Sequence, residues 1–349
     1  MLRLCPLVVS IIVGCQNAAP SEASGGSGGS GGTGGQGGSP PVTLASGQHA
    51  PFGIALDATN VYWTNYWYSG ANSVMTVPKL GGAPTTLVSE SDVIAPRSLA
   101  VDEAYVYFND IGPDASPQPA GRIMKVAKDG GAGPPITLAS HRSPTGDVAI
   151  DETSVYWTEG STIMKVAKTG GAPIEVASNQ DNPADLSSDG GALYWTNWGG
   201  ALGSVMKTIP DGSSAARLFE SEHVRTLATD AGSVYTSFAR QQDQNIAMLV
   251  RIPKQGGAPI VLAATANRPP TLAEGILSPN GIAVDAANVY WSLGSPGTIT
   301  RLSKSGGSPT LLVSGLAQPN RVVSDGVSLY WTNSGSPPAS DGSVMKMAE

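Results

Sequence analysis

Seven aspartates are the first residues whose type and spacing suggest chemistry. Asp57, Asp102, Asp151, Asp189, Asp230, Asp285 and Asp325 each stand five residues before a tyrosine: Tyr62, Tyr107, Tyr156, Tyr194, Tyr235, Tyr290 and Tyr330. Seven carboxylates look like a reactive constellation, but their regularity argues against it. An Asp that recurs once per repeat sits at seven separate places, and at a turn it caps the backbone with its own side chain. Three histidines, His49, His141 and His223, form a second candidate set. They precede their anchoring Asp by eight, ten and seven residues, on alternate repeats. That spacing sets them too far apart to share a metal at about 2 Å. No metal and no cofactor is expected, and no nucleophile elbow, phosphate loop or HExxH is present.

A third set appears on alignment to the Asp. Five residues before it stand Phe52, Arg97, Gly146, Ala184, Arg225, Asn280 and Asn320; four before it stand Gly53, Ser98, Asp147, Asp185, Thr226, Gly281 and Arg321. This mixture of three Arg, two Asp and two Asn suits a polar or anionic small ligand. The alternative is a water-filled channel whose charges pair with one another. A fourth set is Trp67, Tyr68 and Trp198, loop aromatics that the repeat does not require. Binding is the functional reading of such residues, and loop packing the alternative.

The elements that must position these residues follow from the period. Successive anchor aspartates are 45, 49, 38, 41, 55 and 40 residues apart. Each unit carries four short strand-like pieces: in the first, 53–56, 61–64, 73–77 and 85–88. The third piece recurs with a methionine (Met75, Met124, Met164, Met206, Met345), which reads as core filler. The turn after it recurs as Lys-x-Gly-Gly, from Lys79, Lys128, Lys168, Lys254 and Lys304. Gly-Gly there supplies the positive φ of a tight hairpin. Tyr and Trp alternate on the second piece, so one packs into each neighbouring interface.

Four short antiparallel strands per 40–45 residues predict an all-β, seven-bladed β-propeller. The last repeat stops after its third strand, while 41–46 matches a fourth strand. The N-terminal strand is therefore expected to close the last blade and remove an open sheet edge.

Bulk composition agrees. Gly (44) and Pro (27) make up a fifth of the 349 residues, and only 13% are charged, too few for a disordered chain with this patterning. The net charge of −7, with no basic cluster, argues against nucleic acid as a partner. The only cysteines are Cys5 and Cys15, so the folded part has no disulfide framework.

Residues 1–14 read as an export signal, with Arg3 before the short apolar run Leu7–Val13. The run ends in Ile12-Val13-Gly14-Cys15, which resembles the bacterial lipoprotein box. That resemblance implies cleavage before Cys15 and lipidation of Cys15 with several acyl chains, a stable anchor. Gln16 rather than Asp after the cysteine favours the outer membrane or cell surface over inner-membrane retention. Residues 15–40 are the lipidated Cys and a Gly/Ser-rich linker, whose composition predicts a flexible coil spanning roughly 25 Å over about twenty residues. Residues 41–349 are the propeller domain.

The strands Tyr62–Asn65, Tyr194–Asn197 and Tyr330–Asn333, with Tyr156-Trp-Thr-Glu159, resemble the YWTD repeats of lipoprotein-receptor propellers. The fourth letter departs from that pattern, and YWTD propellers have six blades where seven repeats are counted. A looser likeness runs to NHL-type and lactonase-type propellers, although the metal-binding set of the gluconolactonase type has no counterpart here. The expected function is a monomeric, lipid-anchored, extracytoplasmic binding module for a protein or polysaccharide at the cell surface. The membrane is met only through the lipid. The alternative is a hydrolase or lyase in the central channel.

Overall fold

The computed structural model describes residues 39–66, 71–112, 121–130, 133–142, 144–200, 202–211, 214–240, 246–264, 279–336 and 340–349. The described residues form seven four-stranded antiparallel sheets and no helix. The first strand of each sheet contacts the first strands of the sheets before and after it, and that of the seventh contacts that of the first. The chain is a seven-bladed β-propeller.

The ring closes as the sequence predicts. The seventh blade runs Pro319–Ser324, Ser328–Asn333 and Gly342–Ala348 in its first three strands, and Val42–Gln48 supplies the fourth. Val42 lies opposite Lys346, Thr43 opposite Met345 and Ala45 opposite Val344. Gln48 then reaches out of this blade into the next. Its side-chain oxygen accepts from the Trp63 indole (3.1 Å) and the Asn65 amide (3.1 Å). One strand thus completes the last blade and anchors the first.

Each interface holds one apolar cluster, and the Tyr–Trp alternation explains why. Trp63 packs with Tyr330 and Val344 of the seventh blade, while Tyr62, one residue back, packs with Leu99 and Phe108 of the second. The pattern repeats around the ring: Tyr107 with Trp157, Tyr156 with Trp195, Tyr194 with Phe238, Tyr235 with Trp291 and Tyr290 with Trp331. Successive side chains of a strand point to opposite faces, so one dipeptide serves two interfaces. The methionines sit beside these clusters: Met124 and Met164 inside them, Met75, Met206 and Met345 at their edges.

The anchor aspartates are turn caps. Asp57 Oδ1 accepts from the backbone N–H of Thr59 (2.8 Å) and Asn60 (2.7 Å), and Oδ2 accepts from the Tyr62 hydroxyl (2.8 Å). A fourth partner comes from the next blade, where the lysine of the Lys-x-Gly-Gly turn reaches back. Lys128 meets Asp57 at 2.6 Å, Lys168 meets Asp102 at 2.8 Å, Lys254 meets Asp189 at 2.8 Å, Lys304 meets Asp230 at 2.6 Å, and Lys79 of the first blade meets Asp325 of the seventh at 2.8 Å. Burial alone would raise the Asp57 carboxyl, but Lys128, the two backbone N–H groups and Tyr62 outweigh it and hold it at about 2.

Glu349 breaks this rule. Its N–H donates to Val327 O (3.1 Å), just as Lys79 N–H donates to Thr59 O (2.8 Å). A carboxylate therefore occupies the lysine position. Burial, only partly offset by the hydrogen bond from Ser324, pushes Glu349 up to about 7, and the nearby Asp285 and Asp325 add to the rise. A raised folded-state value gives stability that is present below the unfolded pKa near 4.5 and lost as pH climbs to about 7. Glu349→Lys is expected to restore the missing pair with Asp285. It should add about 1–2 kcal/mol at pH 8 after allowance for solvent screening, a rise of roughly 2–5 °C in melting temperature. A lower melting temperature for the variant at pH 8 contradicts the assignment.

Candidate functional site

The two faces of the ring differ in kind. One face carries the connections from first to second and from third to fourth strands, where the Asp–Tyr–Lys clamps and the Gly-Gly turns repeat. The other carries the connections from second to third strands and the entries into each first strand, where the sequence varies. Pairing fixes this division: Pro51 lies opposite Asn65 and Pro183 opposite Asn197, so the start of a first strand meets the end of a second. Every described binding candidate lies at or just inside this loop face.

Among the residues four before the anchor Asp, three side chains tie one blade to the next. Ser98 Oγ accepts from Val148 N–H (3.2 Å), Asp147 Oδ2 from Leu186 N–H (3.5 Å) and Asp185 Oδ2 from Leu227 N–H (3.0 Å). Where the position is glycine, backbones approach instead. A Cβ on Gly53 would sit 2.5 Å from Arg97 O, and one on Gly281 would sit 2.9 Å from Arg321 Cα. Arg321 alone does something different. Its guanidinium meets Asp185 at 2.6 Å and Asp147 at 3.3 Å. In a seven-membered ring, blades three and four lie diametrically opposite blade seven, so this side chain spans the axis. Ser98 Oγ donates to the same Asp147. Burial raises the Asp185 carboxyl, opposed by Arg321 and reinforced by Asp147. Burial would lower Arg321, but the two carboxylates outweigh it and hold the guanidinium firmly charged.

Of the mixed ring of candidates, Asp147, Asp185 and Arg321 therefore come together, with the one guanidinium shared between the two carboxylates. Asn280 and Asn320 are placed as inter-blade ties: Asn280 Nδ2 donates to Pro319 O (2.9 Å) and Asn320 Nδ2 to Pro51 O (3.2 Å) and to Ser334 Oγ. Arg97 lies over the Phe52 ring (5.2 Å), and Phe52 meets Tyr66 edge-on at 6.1 Å. Arg225 lies over the Trp198 ring at 4.3 Å. Trp198 follows the second strand of blade four and is pinned by its own N–H to Asn182 O (3.3 Å), leaving 43% of it exposed. Arg225 is exposed too, and among the described residues its guanidinium makes no hydrogen bond or ion pair.

Trp67, Tyr68 and Cys15 lie outside the described residues, as does the His141 side chain. His49 contacts Ser340 Oγ (2.9 Å). His223 takes a left-handed turn position seven before the anchor Asp, as Ala50, Asn182 and Gln318 do in their repeats. Its place is set by the turn. Among the described residues no three His, Cys, Asp or Glu side chains are grouped to hold a metal.

No protein-family model matches the chain. No curated protein matches it either. Solved structures do. Hydrazine synthase of Kuenenia stuttgartiensis aligns at 16% identity and a TM-score of 0.61, over 85% of this chain and 95% of that one. The PQQ-bound aldose sugar dehydrogenase of Streptomyces coelicolor aligns at 16% identity and a TM-score of 0.52, over 88% and 96%. A nidogen/laminin complex aligns at 18% identity over 79% and 85%, with a TM-score of 0.46 that is too low to weigh. At these identities the likeness is one of fold.

Two features of the site were hidden in the sequence. The stacking of Arg225 on Trp198 joins residues of adjacent repeats that were candidates on separate grounds. The clamp lysines stood in plain view before each Gly-Gly, but only the Gly-Gly had an evident local reason.

Proposed function

We propose that the chain is a binding module that holds a protein or polysaccharide partner on its loop face. The observation that carries this reading is the Arg225–Trp198 stack, an exposed aromatic and an exposed cation whose side chains, among the described residues, make no hydrogen bond or ion pair. Framework residues of this ring are buried between blades; these two are exposed on the loop face. In this reading Cys15 carries the lipid anchor, and residues 15–40 hold the propeller off the surface of a bacterial envelope. Trp67 and Tyr68 belong to the same reading through their loop position in the sequence.

Pull-downs from envelope extracts and glycan arrays with the full chain test it. Trp198→Ala is expected to weaken the captured partner roughly 30-fold, the scale of an aromatic hot spot. Its melting temperature should hold, because an exposed side chain contributes little to folding. An unchanged affinity removes Trp198 from the site.

A second reading places a hydrolase or lyase reaction in the channel. It is favoured by one feature, the buried Asp185 carboxyl beside Arg321 and Asp147, which burial raises and Arg321 opposes, since a raised carboxyl suits proton donation. Against it, all three side chains bond to one another or to blade backbones.

A further inference from the structure

We infer that the Arg225–Trp198 shelf takes a carboxylate-bearing polysaccharide, a polymer of uronic acid residues. The inference rests on the loop-face reading and narrows it to one ligand class. The guanidinium lies 4.3 Å from the indole centroid. Stacking restrains the guanidinium while leaving its N–H edge open, and that edge matches a carboxylate in a bidentate pair. The indole is 43% exposed, and the chain runs on from it through Gly199 and Gly200, with the Asp181 carboxylate beside them. An exposed aromatic ring suits the C–H face of a pyranose ring. It suits a protein anchor less well, because such anchors fill closed, fully desolvated pockets. One uronate unit offers both features at once: an apolar ring face for Trp198 and a carboxylate for Arg225.

The neighbouring charges are consistent with a single cation doing this. Asp181 carries its carboxylate against Gly199 and Gly200, where a Cβ on Gly199 would meet it. A neutral sugar hydroxyl can donate to that carboxylate, while a second anion is repelled.

The test uses the full chain and immobilised polygalacturonate, its methyl ester and a neutral galactan. Wild type is expected to bind polygalacturonate and to lose roughly 10- to 100-fold on esterification, which keeps the ring and removes the charge. Arg225→Gln should show the same loss and no longer distinguish the acid from its ester, while Arg225→Lys recovers only part. Trp198→Phe should retain binding where Trp198→Ala does not. Equal affinity for acid and ester, or wild-type affinity in Arg225→Gln, overturns the inference. So does capture of poly-glutamate in place of the glycan, or no retention of any uronate polymer. If a neutral glycan or a protein is captured and released by Trp198→Ala, the inference fails while the loop-face function stands.

Discussion

Deleting residues 41–47 is expected to cost the whole domain its stability, not merely to fray one end. These residues make up most of the fourth strand of the seventh blade, and Leu44 and Ala45 are buried in the cluster between the seventh and first blades. Without them the strand Gly342–Ala348 becomes an open edge, and Trp63, Tyr330 and Val344 lose a side of their packing. Removing a single buried aliphatic side chain already costs about 2–5 kcal/mol, against a total stability of about 5–15 kcal/mol. The expected result is a fall of roughly 10 °C or more in melting temperature, or loss of the cooperative transition. Leu44→Ala, which leaves the strand in place, should lose only part of this. A truncated chain that melts like the full one rules out the closure.

The second large effect lies at the axis. Arg321→Met removes the one cation that, among the described residues, pairs with Asp147 and Asp185, and leaves two carboxylates facing each other inside the ring. Breaking a buried ion pair on one side costs about 3–5 kcal/mol, because the remaining charge stays desolvated. The sign of the pH dependence identifies the cause. Asp185 is already raised by burial, and losing Arg321 raises it further. A raised carboxyl gives stability that is present below its unfolded pKa and lost as pH rises through the folded one. The variant should therefore be more stable at pH 5 than at pH 8, and Arg321→Met with Asp185→Asn should recover much of the loss. Thermal melts across that range check both. A variant as stable as wild type at pH 8 would show that the cluster is solvated.

The fold was largely legible because its determinants are local and repeated. The Asp–Tyr spacing recurs in all seven repeats, and the Met of the third strand and the Gly-Gly turn in five each. The closing strand was legible for the same reason: 41–46 matches a fourth strand that its own repeat does not contain. What was hidden depends on which blades meet. Lys128 and Asp57 stand in different repeats, and nothing in either segment names the other. Arg321 and Asp185 are 136 residues apart and meet only because seven blades put the seventh opposite the third and fourth. Counting the blades gives the geometry, but the reach of one arginine across the axis needs the coordinates. Arg225 and Trp198 lay among the candidates, yet the sequence could not show that one lies on the other. The fourth letter of the Tyr-Trp-Thr-Asn strand gained a reason only in space. Asn65 and Asn197 share a glutamine, Gln48 or Gln180, with the indole two residues before them, whereas in blade three Glu159 takes the indole directly and pairs with Arg142.

The central claim is that repeated residues build the ring and unrepeated loop residues bind. Trp195 and Trp198 test it most directly, because they stand three residues apart in one blade. Trp195 is fully buried, and its indole donates to Gln180 (3.0 Å) and Asn197 (3.1 Å); Trp198 is exposed on the loop face. The decisive measurement is melting temperature and partner retention for Trp195→Phe and Trp198→Ala side by side. The account predicts that Trp195→Phe melts several degrees lower and keeps its partner, while Trp198→Ala melts like wild type and loses it. A Trp198→Ala chain that retains its partner at full affinity contradicts the account.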